Sequence, residues 1–400
     1  MSVIHSSYLE ITILLRKLIL IIVISVLISF PLASMRFVVN ASSNDWPMFR
    51  SNPSHTGTGT GDPVLNGTLL WRYSTGPFNV LSSPAVVSGV VYIGSGDNNV
   101  YAFNATSGNK LWNYTTGGAV YSSPAVVSGV VYIGGGYYGS LYALDATTGV
   151  QLWNYTTGNG FESSPAVVNG VVYVGSFGGL VGYVYALNAT DGAKLWNYTT
   201  GDWVESSPAV INGVVYVGSC DYRVYALNAA NGAQLWNYTT SYIVESSPAV
   251  VNGVVYIGSD GKYGTIGNNV YALNASNGAK LWNYTTGASV ESAPAVVGGV
   301  VYVGSANANV YALNATDGAQ LWNYTTGAYV WSSPAVVNGV VYVGSADGYV
   351  YALVSTPVIP EFPTITVAIL PLLFLAVTLL YTKRKLLKQN LSPSRALNSS

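Results

Sequence analysis

Cysteine and histidine are almost missing from this sequence of 400 residues. Cys220 is the sole cysteine, which excludes an intramolecular disulfide and any cysteine-rich zinc site. His5 and His55 are the only histidines, so a Ser-His-Asp triad or a multi-histidine metal centre has almost no raw material. Charge is scarce as well, at 8% of residues. Residues 42–357 hold 14 acidic and 7 basic side chains, a balance of −7, while residues 1–41 carry +2 and residues 358–400 carry +4. An acidic, lysine-poor central region argues against nucleic acid as a partner. The low charge does not imply disorder, because 50% of the residues are hydrophobic.

What the chain has in abundance is repetition. The tryptophans Trp71, Trp112, Trp153, Trp196, Trp236, Trp282 and Trp322 recur at intervals of 40 to 46 residues. The prolines Pro84, Pro124, Pro165, Pro208, Pro248, Pro294 and Pro334 keep step with them. Each period contains four short strand patterns. In residues 206–240 these are Ser207–Ile211, Val214–Gly218, Val224–Leu227 and Leu235–Thr239, with Asn212-Gly213 suited to a type I′ hairpin turn. Four antiparallel strands in about 40 residues predict one propeller blade. The expected fold is all-β: a seven-bladed β-propeller over residues 69–354. The strand at Leu69–Ser74 has no blade before it, and the last period lacks an outer strand. The first is therefore expected to complete the last and remove the open sheet edges. Eight blades is the alternative, but residues 44–68 are too few to supply four more strands.

The two ends speak to membranes. Arg16 and Lys17 precede an apolar run from Leu18 to Ala33, so residues 1–41 read as a signal peptide. Cleavage fits after Ala41 or after Ala33, and an uncleaved anchor is the other reading. Residues 42–68 form a lead-in segment. Residues 364–381 are apolar, with Pro371 tolerable in lipid, and predict a C-terminal transmembrane helix. Lys383, Arg384, Lys385 and Lys388 follow, which predicts a cytoplasmic tail at 382–400 and an extracellular propeller. The linker, residues 355–363, carries Pro360-Glu361-Phe362-Pro363. This motif, apolar span and basic tail together resemble the C-terminal sorting signals of archaeal surface proteins. The resemblance implies a tail open to cleavage and replacement by a lipid.

The turn Ala143-Leu144-Asp145-Ala146-Thr147-Thr148-Gly149-Val150-Gln151-Leu152-Trp153 resembles the tryptophan-docking motif of the PQQ-like, quinoprotein-type β-propellers. Asparagine replaces the aspartate at Asn104, Asn188, Asn228, Asn274 and Asn314, and the motif's lysine is absent from its position, while the glycine and tryptophan persist. Asp45-Trp46-Pro47-Met48-Phe49-Arg50 and His55-Thr56-Gly57 also look like the family's lead-in. The resemblance spans residues 45–353. It implies that Trp112, Trp153, Trp196, Trp236, Trp282 and Trp322 wedge against the neighbouring blade. Quinoprotein dehydrogenases add an acidic calcium site, a catalytic aspartate and often a vicinal disulfide, which one cysteine cannot form. Non-catalytic relatives in bacterial outer-membrane assembly use the ring as a docking scaffold, and this chain looks more like those.

Loops between blades and loops between the second and third strands of a blade are expected on one face, the top. Residues 176–183 and 259–269 lengthen it, and Tyr137, Tyr138, Phe177, Trp203, Tyr222, Tyr263, Tyr329, Trp331 and Cys220 collect there. Trp203, Tyr222, Tyr263, Tyr329 and Trp331 are the candidate partner-binding residues. Glu162, Glu205, Glu245 and Glu291 stand three residues before the blade proline in four consecutive blades. They form either a channel-mouth ring for a hard cation such as Ca²⁺ or solvated copies of one duplicated residue. The N-Y-T sequons at Asn113, Asn154, Asn197, Asn237, Asn283 and Asn323 are glycosylation candidates in a secreted chain, or again copies of one ancestral residue. The expectation is a membrane-anchored cell-surface scaffold, not an enzyme, that binds a protein or glycan. No cofactor is expected beyond possible Ca²⁺, and PQQ is disfavoured. A PQQ-dependent oxidoreductase and a self-assembling envelope protein are the alternatives.

Overall fold

The computed structural model describes residues 48–53, 55, 70–136, 139–261, 267–337 and 339–354. The signal peptide, linker, C-terminal span and basic tail, together with Tyr137, Tyr138 and Tyr263, lie outside the described residues. Among the described residues no helix is long and apolar enough to cross a membrane.

The described chain is all-β and forms seven antiparallel sheets, one per repeat. Six are four-stranded and follow chain order from the innermost strand outward. Blade 4 is representative: Ala209–Ile211, Val214–Ser219, Arg223–Asn228 and Gln234–Thr239. Its hairpin turns through Asn212 and Gly213 at φ +52° and +76°, the left-handed pair that a type I′ turn requires. The third strand is the most buried: Val224, Tyr225, Ala226 and Leu227 are all enclosed, because both sheet faces are covered by neighbouring blades. The outer strand instead alternates, with Trp236 buried and Leu235 and Asn237 exposed.

Blades are joined by one repeated device. The indole Nε1 of Trp112, Trp153, Trp196, Trp236 and Trp282 donates to the carbonyl of Ala146, Ala189, Ala229, Ala275 and Ala315 in the next blade, at 2.9–3.0 Å. The hydroxyls of Tyr92, Tyr132, Tyr173, Tyr216 and Tyr256 donate to the same five carbonyls. The indole lies over a glycine of that turn. A Cβ at Gly232 would sit 2.6 Å from the Trp196 ring, and its φ of +72° suits only glycine. Trp322 packs among Val341 and Leu353, and its counterpart carbonyl would belong to residue 355, outside the described residues.

The aspartate-to-asparagine exchange in the motif now has a cause. The side-chain Oδ1 of Asp145 accepts the backbone N–H of Thr147 and Thr148, and Asn228 Oδ1 likewise accepts from Ala230. The turn needs an acceptor, which a carboxylate and an amide both supply.

Serines organise the channel wall. The hydroxyl of the serine that begins each S-S-P-A-V or S-A-P-A-V segment accepts the N–H of a second-strand glycine in all seven blades, at 2.7–3.1 Å. The second serine links blades: Ser123 N–H donates to Ser164 Oγ, Ser164 to Ser207, and Ser207 to Ser247.

The expected closure differs from what is observed. Among the described residues blade 7 has three strands, Ala335–Val337, Val340–Gly344 and Val350–Val354, and residues 70–74 form no strand. Trp71 nonetheless docks on blade 1 as a preceding blade's tryptophan should, donating to Ala105 O at 2.8 Å above Gly108. The N-terminal segment therefore keeps the docking contact without the backbone pairing. The joint between blades 1 and 7 is loose. Val80 is 44% exposed, whereas its counterparts Val120, Val204, Val244, Val290 and Val330 are fully enclosed. A cavity of about 630 Å³ lies there, lined in part by Phe49, Arg50, Leu81, Trp331 and Pro334.

Candidate functional site

Each innermost strand turns an unpaired edge toward the channel, leaving backbone groups in need of partners. The lead-in segment supplies several. Arg50 donates through Nη1 to Pro334 O at 2.7 Å and through Nη2 to Pro294 O, and Pro53 O accepts the Val210 N–H at 2.7 Å. Met48 packs among residues of blades 2 and 3. His55 meets Phe49 edge-on at 5.4 Å, with the Pro248 carbonyl in range but short of full hydrogen-bond alignment. Met48–Pro53 and His55 thus plug the channel, and sequence patterning alone did not assign them that role. Burial pulls Arg50 down to about 9. Burial, then the Arg50 charge, pulls His55 down to about 3, so the ring is neutral at pH 7.

The top-face loops meet as expected. Cys220 N–H donates to Trp203 O at 2.8 Å, and Asp260 N–H donates to Ile243 O at 2.9 Å. Each bond ties the loop entering a blade to the loop between that blade's second and third strands. The same bond recurs in blades 6 and 7, from Ala306 to Ser289 and from Ala346 to Tyr329.

These ties bring carboxyl groups together at the mouth. Burial raises Glu162, and Glu245 raises it further. Glu205 is pushed up to about 7 by burial, then by Glu245, Glu162, Asp202 and Glu291. Glu291 also reaches about 7 through burial and Glu245. Asp260 rises most, to about 9, through burial and then Glu245 and Glu291. No Lys or Arg is among the charges acting on these groups.

Convergence is uneven. The donor atoms of Glu205, Cys220 and Glu245 lie within 4.8 Å of one another, and they are the one such group of three among the described residues. Glu162 and Glu291 stand outside it. Asp260 was not foreseen, although a signal existed. The residue after the second-strand serine or its glycine counterpart is Gly96, Gly136, Phe177, Cys220, Ala306 or Ala346 in the other blades, and Asp only at 260.

The candidate partner-binding aromatics divide. Trp203 is held, with Nε1 on Gly179 O at 3.0 Å and its ring against Phe177. Tyr222 stacks on Tyr242 at 5.2 Å. Tyr329 and Trp331 pair at 5.3 Å and remain 41% and 49% exposed. Trp331 lines the cavity at the loose joint, and both residues line a second cavity of about 210 Å³ beside Glu291. The sequon asparagines Asn113, Asn154, Asn197, Asn237, Asn283 and Asn323 are all exposed on outer strands.

A family model described as outer membrane protein assembly factor BamB matches residues 62–160, 138–292 and 266–356. Similar solved structures include a computationally designed protein, Ika8, at 18% identity and a TM-score of 0.58, covering 68% of this chain and 83% of that one. A quinohemoprotein alcohol dehydrogenase from Pseudomonas putida HK5 matches at 18% identity and a TM-score of 0.50, covering 75% of each chain. BamB from Moraxella catarrhalis matches at 20% identity and a TM-score of 0.47, covering 69% of this chain and 99% of that one. At these identities the structural matches speak for the fold alone. No curated protein matches the sequence. The family match spans most of the chain, which belongs to the PQQ-like β-propeller family of the outer membrane assembly factor BamB.

Proposed function

We propose that this chain is a non-catalytic, membrane-anchored cell-surface scaffold that binds a protein or glycan through its top face. The observation that carries the reading is the exposed aromatic and apolar surface beside the loose joint. Phe78, Leu81, Tyr329 and Trp331 are all exposed large hydrophobics of the loops entering blades 1 and 7. Exposed apolar patches mark interaction sites, and tryptophan and tyrosine dominate binding hot spots.

The channel mouth supports the non-catalytic side of the reading. PQQ carries several carboxylates, and here it would meet Glu162, Glu205, Glu245, Glu291 and Asp260, on which no Lys or Arg charge acts. Arg50 already serves two proline carbonyls. The anchor half of the proposal rests on the apolar run at 364–381 and the basic residues after it.

Self-assembly is the second reading, favoured by one observation. The last strand of blade 7, Val350–Val354, has no outer partner among the described residues, and Val350 is 79% exposed. An uncovered edge strand is a template for pairing with another chain.

The test is retention of the detergent-solubilised full chain on immobilised envelope polysaccharides and envelope proteins, with Trp331→Ala alongside. Retention that falls about tenfold or more in the variant supports the proposal, as expected for a hot-spot tryptophan. Retention equal in both proteins removes the aromatic surface from it. Concentration-dependent oligomers in light scattering, with no retention, favour self-assembly.

A further inference from the structure

The mouth of the channel is built asymmetrically, and the asymmetry is chemical. Blades 4 and 5 contribute the same two positions each: Glu205 with Cys220, and Glu245 with Asp260. In blade 4 the second position is a thiol, and in blade 5 it is a carboxyl. Three of the four present donor atoms within 4.8 Å of one another. The fourth, Asp260, is 5% exposed, and neither carboxylate oxygen has a hydrogen-bond partner among the described residues. A buried carboxylate without a donor carries the full desolvation penalty of its charge. Asp260 is paired with the Glu245 carboxyl, the charges of Glu245, Glu291 and Glu205 act on it, and its own acts on Cys220, so it stands beside the cluster. Contact between the Asp260 and Glu245 carboxyls becomes a hydrogen bond only if one of them holds a proton. With both ionised they repel, and a bound cation would offset that repulsion.

We propose that Glu205, Cys220 and Glu245 bind one divalent cation of borderline softness, of the Zn²⁺ class, with the Asp260 carboxyl beside them. The thiol decides the class. Calcium seeks six to eight oxygens, and one sulfur in a set of three donors suits it poorly. Thiolate with carboxylate suits Zn²⁺, usually four-coordinate, which leaves a position for water or for Asp260. Binding would take the thiol proton and any carboxyl proton into solution, so affinity rises with pH.

The experiment is a Cd²⁺ titration of the full chain, dialysed free of metal, following cadmium–thiolate charge-transfer absorbance. One Cd²⁺ per chain is expected, displaced by Zn²⁺ and not by a large excess of Ca²⁺. Cys220→Ser should abolish the band. Glu205→Gln, Glu245→Gln and Asp260→Asn retain the thiol and should each weaken binding about tenfold or more, whereas Glu162→Gln should leave it within about twofold. Absence of the band in natively folded wild type would overturn the proposal. So would a band with unchanged affinity in Glu205→Gln and Glu245→Gln, which would mean a lone thiol scavenging cadmium. Displacement by Ca²⁺ as readily as by Zn²⁺ would overturn the assignment of class.

Discussion

Val244 and Val80 occupy the same place in the repeat, yet one is wholly enclosed and the other is 44% exposed. Val244 seals the joint between blades 4 and 5, packed against Gly218, where a Cβ would meet it at 2.3 Å. Val80 stands at the joint between blades 1 and 7, and its counterpart glycine, Gly344, meets only Ser332. The residue is the same and the neighbours differ. Burial in a repeat array therefore belongs to the joint and not to the residue, as expected when each unit stabilises only its neighbours.

The comparison breaks most sharply at the docking tryptophans. Trp196→Ala at a sealed joint should cost about 3–5 kcal/mol, the range for deleting a buried Phe or Trp side chain. Trp71→Ala at the loose joint should cost about half of that or less, since its surroundings can collapse. Urea unfolding of the two variants measures the difference. A Trp71→Ala loss equal to that of Trp196→Ala would mean that the joint is sealed in solution.

Glycine substitutions separate conformation from packing. Gly232→Ala meets both a left-handed φ and the Trp196 ring, and should cost about 3 kcal/mol or more. Gly213→Ala meets the same kind of φ, +76°, with nothing within 4 Å, and should cost about 1 kcal/mol. Thermal melts of both variants, compared at one pH, check the gap.

A third comparison sets the mouth against the plug through pH. The folded-state values of Glu205, Glu291 and Asp260 lie above their ordinary ones. The folded state therefore binds more protons, and stability falls as pH rises from about 4 through about 7 and on to about 9. His55 works the other way. Its value of about 3 lies below the ordinary one, so its contribution is lost as pH falls from about 6.5 toward 3. Asp260→Asn in metal-free protein should raise stability at pH 8 by several kcal/mol and flatten the fall from about pH 4 to about 9, its alkaline limb included. An unchanged alkaline limb would show that Asp260 ionises freely.

The smallest effect belongs to the surface. Trp331→Ala should change stability by no more than about 0.5 kcal/mol, because nearly half of its surface is already in water. Its melting temperature is then a control for the binding test above.

The blade itself was legible because its cues are local. Asn212-Gly213 dictates a turn, Val214–Val217 a strand, and Gly232 with Trp236 a docking motif, all within one period. The mouth was half legible. Glu205 and Glu245 showed as a repeated position and Cys220 as a top-face residue, but their convergence depends on how two blades meet. Asp260 was overlooked because residues 259–269 read as a length insertion, which hid an in-register exchange to aspartate. The plug was least legible. Met48, Arg50, Pro53 and His55 carry no period, and their partners are mostly backbone carbonyls of residues 150 to 300 positions away.

That plug bears on how the chain finds its own order. Seven modules with nearly interchangeable faces offer many wrong neighbours at almost the same energy, a degenerate landscape. Met48–Pro53 and His55, outside the repeat, treat the modules unequally: Met48 reads blades 2 and 3, Pro53 blade 4, His55 blade 5, and Arg50 blades 6 and 7. A single aperiodic key thus gives a periodic molecule its numbering.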